Sequence, residues 1–162
     1  MRWLRHLFST RWHMRRAFAP TTLDVIEVAV AASEQQHRGE LRFALEASFD
    51  VTQLLQQLTS RQRAVQVFSA LGVWDTEENN GVLVFVLLAE NAVEIVADRG
   101  YANRVTTDEW QSACKFMSSR FTDNDFAGGA KLGIEALTVL MARAFPGNGR
   151  DANELPNRPR LM

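Results

Sequence analysis

Residues 82–88 read Val82-Leu83-Val84-Phe85-Val86-Leu87-Leu88, seven apolar positions in a row, preceded by Asn79-Asn80-Gly81. A β-branched and aromatic run of this length, set off by turn residues, is the pattern of a strand rather than of a helix. No position alternates to polar, so both faces of that strand must be covered, which is the situation of a central strand between two layers of helices. Counted to Ala89, the run remains far short of the roughly 20 residues that cross a bilayer as a helix, and no transmembrane span is predicted anywhere in the chain.

Working outward from this strand, Glu90-Asn91 is a two-residue turn candidate, after which Val93, Ile95 and Ala97 alternate with Glu94, Val96 and Asp98. The two strands are expected to form an antiparallel hairpin. On the other side, Leu41, Phe43, Leu45, Ala47 and Phe49 alternate with Arg42, Ala44, Glu46 and Ser48, the period-two pattern of a strand with one face buried. Between that strand and the central one, Val51, Leu54, Leu55 and Leu58 take helical spacing, and Ala64, Val67, Phe68 and Leu71 repeat it. A helical crossover of this length makes the two strands parallel.

The flanks are helical. Leu23, Ile26 and Val30 predict a helix over about 22–37, with Gly39 placed to take a positive φ at its end. Thr106 and Glu109 have capping-box spacing ahead of the apolar stripe Trp110, Ala113, Cys114, Met117 and Phe121. A last helix, from about Asp125 to Ala144, buries Phe126, Ala130, Ile134, Leu137 and Met141. The fold class is therefore α/β: a three-layer α/β/α sandwich whose mixed sheet combines a parallel crossover with an antiparallel hairpin, preceded by an N-terminal helical arm. Three regions are expected: an arm over 1–20, the α/β domain over 21–146, and a flexible tail over 147–162, where Gly, Asn, Arg and Pro prevail and Leu155 and Leu161 are the large aliphatics.

The chain has 162 residues, of which 46% are apolar, enough for one domain with its own core. One cysteine excludes an intramolecular disulfide and a thiolate zinc cluster. A net charge of −1 gives no global surplus for a nucleic-acid backbone, so nucleic acid is not an expected partner. The charge is nevertheless segregated. Arg2, Arg5, Arg11, Arg15 and Arg16 fall in the first twenty residues, which hold no acid, and they interleave with Trp3, Leu4, Leu7, Phe8, Trp12, Met14 and Phe18. Three readings fit this composition: a helical arm packed on its own domain, an amphipathic helix that docks residues 1–18 on a protein partner or an anionic membrane surface, and a cleaved transit peptide. No uninterrupted apolar stretch of about 7 to 15 residues precedes Pro20, so a secretory signal is not expected, and the location expected is cytoplasmic or peripheral to a membrane.

The topology brings three chain segments to one rim of the sheet: His37, Gly39 and Glu40 before the first strand, Asp75, Glu77, Glu78, Asn79 and Asn80 before the second, and Asp98, Arg99 and Gly100 after the third. Carboxylate and amide oxygens gathered from separate loops suit a hard cation, Ca²⁺ or Mg²⁺, and the ligands predicted are Asp75, Glu78, Asn79 and Asp98. No organic cofactor is indicated. The competing reading is a solvated acidic turn, with Asp98 paired to an arginine. Cys114, on an apolar stripe, is expected to be a buried inert thiol. Asp123-Asn124-Asp125 with Arg120 is explained by capping of the last helix.

Trp74–Val84 (WDTEENNGVLV) and Glu94–Gly100 (EIVADRG), with Phe121–Phe126 and the glycine-rich last helix, resemble the TPM-domain family over about residues 22–146. The family takes its name from a plant thylakoid-lumen protein, a photosystem II repair factor and an animal acetylcholine-receptor accessory protein. The arginine-rich arm is similar to a short soluble bacterial branch. The resemblance implies an α/β/α sandwich, a divalent cation near the loop into the central strand, and an acid phosphatase activity attributed to some members. Many members of the family carry Asp-Asn-Gly-Val-Leu where this chain has Asn79-Asn80-Gly81-Val82-Leu83. Two functions are thus expected from different classes. One is a non-catalytic, cation-binding interaction module. The other is a metal-assisted phosphomonoesterase whose catalytic candidates are Asp98, Arg99 and His37, with Arg99 or His37 steadying the phosphate.

Overall fold

The computed structural model describes residue 6, residues 11–147 and residues 153–162, so the expectations placed on residues 1–5, 7–10 and 148–152 lie outside the described residues. The elements are α1 (Arg11–Ala17), α2 (Pro20–Glu34), β1 (Glu40–Glu46), α3 (Val51–Leu55), α4 (Ser60–Ala70), β2 (Gly81–Leu87), β3 (Ala92–Ala97), α5 (Thr107–Thr122), α6 (Phe126–Ala144) and β4 (Arg160–Leu161). The sheet order is β3-β2-β1-β4, with β2 antiparallel to β3 and parallel to β1, and β4 parallel to β1 on the outer edge.

Alternation along β2 explains both layers. Val82, Val84 and Val86 face one cluster with Ile26 and Val30 of α2, Met117 and Phe121 of α5, and Ile134 and Leu137 of α6. Leu83, Phe85 and Leu87 face the other, with Leu54 of α3 and Ala64, Val67 and Phe68 of α4. All seven residues of β2 are buried. An apolar residue at every position is what burial on both faces demands. The helices start where reciprocal caps satisfy their free N–H groups: Asp50 with Gln53, Thr59 with Gln62, and Thr106 with Glu109.

Five expectations are corrected. β1 is buried on both faces, not one, because its polar positions are covered: Arg63 of α4 holds Glu46 in a bidentate pair at 2.8 and 3.1 Å, while Glu40 and Arg42 lie under the C-terminal segment. Residues 153–162 are no flexible tail, since β4 pairs with β1 and Leu155 enters the second core cluster. The β2–β3 connection is a 3-10 turn over Leu88–Glu90 closed by Asn91 at φ 49°, rather than a two-residue hairpin turn. The α2 helix ends at Glu34 rather than 37, and Gly39 does not take a positive φ; a methyl there would meet the Tyr101 hydroxyl and come within 2.9 Å of Met141 Cε.

The arm packs on its own domain at the described positions. Met14 and Phe18 are core residues, and His6 is buried, stacked on Phe49 with ring centroids 5.1 Å apart. His6 Nδ1 accepts the Phe49 N–H at 2.9 Å, which leaves Nε2–H to donate to Glu90 Oε1 at 3.0 Å.

At Gly81, the first residue of β2, an added Cβ would fall on the Val73 carbonyl oxygen and lie 3.0 Å from Val73 Cγ1. The obstacle is backbone, which no rotamer change relieves. Gly81→Ala is therefore expected to cost about 1–3 kcal/mol, read as a lower urea midpoint; an unchanged midpoint would mean that the 73–81 approach relaxes freely.

A rim that joins three loops

Asn80 is the centre of the rim. It is 2% exposed, its side-chain amide donates to the Arg38 carbonyl at 2.6 Å, and its own carbonyl accepts the Glu40 N–H at 3.2 Å and the Tyr101 hydroxyl at 3.0 Å. One residue thereby ties the start of β1 and the segment after β3 to the start of β2. The turn that delivers it is held by Thr76, whose hydroxyl accepts the Asn80 N–H at 3.0 Å and whose carbonyl accepts the Asn79 N–H at 3.2 Å. Asn79 takes φ 54°, a conformation asparagine adopts more readily than most residues.

The loop after β3 closes on the same turn. The Asp98 N–H donates to the Gly81 carbonyl at 2.9 Å and the Gly100 N–H to the Asn79 carbonyl at 3.0 Å. Asp98 Oδ1 accepts the Arg99 N–H at 2.7 Å and caps the short 3-10 turn Arg99–Tyr101. Gly100 is required by this approach, because a methyl there would overlap the Asn79 carbonyl oxygen and lie 3.0 Å from that of Glu78. Tyr101, 2% exposed, is held protonated by burial, which pushes its hydroxyl well above the ordinary phenol range.

The three loops therefore do meet. Within them the predicted residues have distinct surroundings. Glu78 forms an ion pair with Arg38 through Oε1. Asn79 Oδ1 accepts from Arg99 Nε at 2.8 Å, so this amide oxygen already faces a guanidinium. Asp75 is exposed, its N–H bonded to the Gly72 carbonyl at 2.9 Å. Glu78 Oε2, Asp98 Oδ2 and Asn80 Oδ1 are buried oxygens without a hydrogen-bond partner. Among the described residues no group of three or more His, Cys, Asp or Glu side chains is arranged to hold a metal ion.

His37 is placed elsewhere. It is 1% exposed, with Nε2 2.9 Å from Ser33 Oγ; Ser33 Oγ lies 2.7 Å from Thr138 Oγ1, which lies 2.7 Å from the Ile134 carbonyl. The carbonyl can only accept, so the protons run toward it: Thr138 donates to Ile134, Ser33 to Thr138, and His37 Nε2–H to Ser33. Burial lowers the His37 pKa to about 4, so the ring is neutral at pH 7. Glu34, near the same helix end, accepts the Leu41 N–H at 3.0 Å, and burial raises its pKa to about 7.

Sequence reasoning missed Arg38, Asn80 and Tyr101 as the parts that hold the rim together. Arg38 and Glu78 are forty positions apart, and the bonds of Asn80 across the rim run through main-chain groups that every residue possesses, its amide to the Arg38 carbonyl and its own carbonyl to the Glu40 N–H and the Tyr101 hydroxyl. Outside the rim, Asp125 caps α6 by accepting the Gly128 N–H at 3.0 Å, with Arg120 3.5 Å from its other oxygen. Cys114 is half-buried, and burial pushes its thiol up to about 11, which disfavours a nucleophilic thiolate at neutral pH.

Comparison with known proteins agrees with this architecture. The family model described as the TPM domain matches residues 14–140. The BA42 protein of the psychrophilic bacterium Bizionia argentinensis is similar, with a TM-score of 0.76 at 27% identity over 88% of this chain and 93% of that one. The N-terminal domain of a P. gingivalis protein (TM-score 0.63, 15% identity, 83% of this chain and 82% of that one) and that of the cg2496 protein of Corynebacterium glutamicum (0.56, 15%, 77% and 74%) share the fold. No curated protein matches. With about four-fifths of the chain under the family match and the loop into β2 inside it, the chain belongs to the TPM-domain family.

Proposed function

We propose that this TPM domain is a non-catalytic, divalent-cation-binding interaction module, with Ca²⁺ or Mg²⁺ held at the rim by Glu78 and Asp98. The observation that carries the reading is the pair of carboxylate oxygens, Glu78 Oε2 and Asp98 Oδ2, buried there without a partner. A carboxylate oxygen buried without a partner is unfavourable, and a hard cation removes that cost while accepting irregular loop geometry. Asn80 Oδ1, also without a partner, is a neutral oxygen of the kind that completes such a shell. Asn79 contributes backbone rather than side chain in this reading, because Arg99 occupies its amide oxygen. Asp75 adds charge at the exposed side of the turn.

Interaction is assigned to α1, where Arg15, Arg16 and the 62%-exposed Trp12 present a cationic and aromatic face suited to a protein partner or an anionic membrane surface. Among the described residues no helix is long and apolar enough to cross a membrane. The alternative, a metal-assisted acid phosphatase, has less support. His37 is buried and neutral between α2 and α6, so it offers neither an exposed proton nor a positive charge to a phosphate, which leaves Arg99 to steady the phosphate and Asp98 to hold the ion.

Calcium and magnesium titrations followed by amide NMR should move the resonances of residues 75–80 and 98–101. Asp98→Asn should weaken the binding at least about tenfold, which is about 1.4 kcal/mol. Shifts confined to other regions, or an Asp98→Asn protein that binds as the parent does, would remove the assignment.

A further inference from the structure

The outer edge of β1 is built to read main chain. Arg42, 7% exposed, donates from Nη1 to the carbonyls of Pro156, at 2.6 Å, and of Arg158. Glu40, 6% exposed, accepts the Leu155 N–H at 3.0 Å, and the Leu45 carbonyl accepts the Met162 N–H at 2.9 Å. Two side chains complete the match: Leu155, 6% exposed, sits in the core cluster with Ala44, Leu83 and Phe85, and Arg158 pairs with Asp24 at 3.0 Å and with Glu27 of α2. Buried charges committed to backbone groups are the chemistry of strand addition, where main-chain bonds give affinity and a few side-chain seats give selectivity.

We infer that this edge is a strand-exchange site, filled within one chain by residues 153–162 and, in a dimer, by the same segment of a second copy. Among the described residues, the groups of the C-terminal segment that meet the edge all lie inside those ten, so the segment from another chain offers the same contacts. The chain leaves the core at Gly147, which packs on Arg38, and is again held at Leu155 by Glu40. Exit and return are thus neighbours at the start of β1, and the residues between them, extended, span roughly 25 Å, enough to carry the segment to an adjacent molecule. Only two residues of the segment pair as strand, so chain concentration against the effective concentration of the tether decides the occupant. β1 without a strand here would expose an unpaired edge, so the segment is replaced rather than merely lost.

Ala44 and Arg160 are partners in the β1–β4 register and provide the test. In a Cys114→Ser background, full chains carrying Ala44→Cys are mixed with full chains carrying Arg160→Cys, concentrated and oxidised. The expected result is a mixed disulfide dimer roughly tenfold above that given by Ala44→Cys with Val28→Cys, an exposed position on α2, and its loss when Arg42→Met is added to the Ala44→Cys chain. A chain carrying both cysteines should close internally. If it does so and the mixed pair gives no more than the control, the exchange is refuted. Should the double variant fail to close, contacts between Met162 and Leu45 sought by isotope-filtered NOE in a mixture of differently labelled parent chains decide instead, and their absence at millimolar concentration overturns the inference.

Discussion

Replacing Phe18 by alanine is expected to lower stability by about 3–5 kcal/mol, a fall of roughly 10 °C or more in the melting temperature of a chain this size. The ring is 2% exposed, with its centroid 5.9 Å from that of Phe121, edge-on, and 5.2 Å from that of Phe126, so truncation opens a cavity where α1 meets α5 and α6. Trp12, 62% exposed on α1, should change stability by no more than about 0.5 kcal/mol on conversion to alanine. The pair of variants divides the arm into its two roles. Phe18→Ala should move the urea midpoint, and Trp12→Ala should instead reduce sedimentation with vesicles containing anionic lipid. A Phe18→Ala protein within 1 kcal/mol of the parent would show that the arm is an appendage rather than part of the core.

That division marks what the sequence could and could not convey. The apolar stripes of α2, α5 and α6 and the two-sided run of β2 are written in the side chains themselves, so layers, strand directions and the capping box of α5 follow from spacing alone. The rim was legible as a meeting of three loops, because topology dictates where strand ends fall. Its internal bonding was not, since Asn80, Tyr101 and Asp98 all act on backbone groups, and a main-chain carbonyl has no letter of its own. Arg42 is the clearest case: alternation marks it as a solvent-facing residue of β1, yet its guanidinium is buried on the carbonyls of Pro156 and Arg158, more than a hundred positions away. A segment of low apolar content reads as unable to fold, and in isolation it would be; it is ordered because β1 supplies the other half of its hydrogen bonds.

Glu34 and His37 should give stability profiles of opposite slope that hide each other. His37 has a folded pKa of about 4 against an ordinary 6.5, so the unfolded chain binds the extra proton as pH falls from 6.5 toward 4, and roughly 3 kcal/mol of stability is lost over that window. Glu34 shows the reverse. Burial, together with the neighbouring Glu40 carboxylate and against the Leu41 N–H, lifts its pKa from 4.5 to about 7. The unfolded chain therefore gives up the proton first, and a similar roughly 3 kcal/mol is lost as pH rises from 4.5 to 7. Between about pH 4.5 and 6.5 the two nearly cancel. Glu34→Gln keeps an oxygen for the Leu41 N–H and removes the ionisation, so its urea midpoint should climb with pH through this window, and at pH 7 it should exceed the parent. His37→Gln should show the opposite, a midpoint falling from pH 4.5 to 7, whatever its absolute value. A Glu34→Gln profile as level as the parent's would mean that the carboxyl ionises freely in the folded chain.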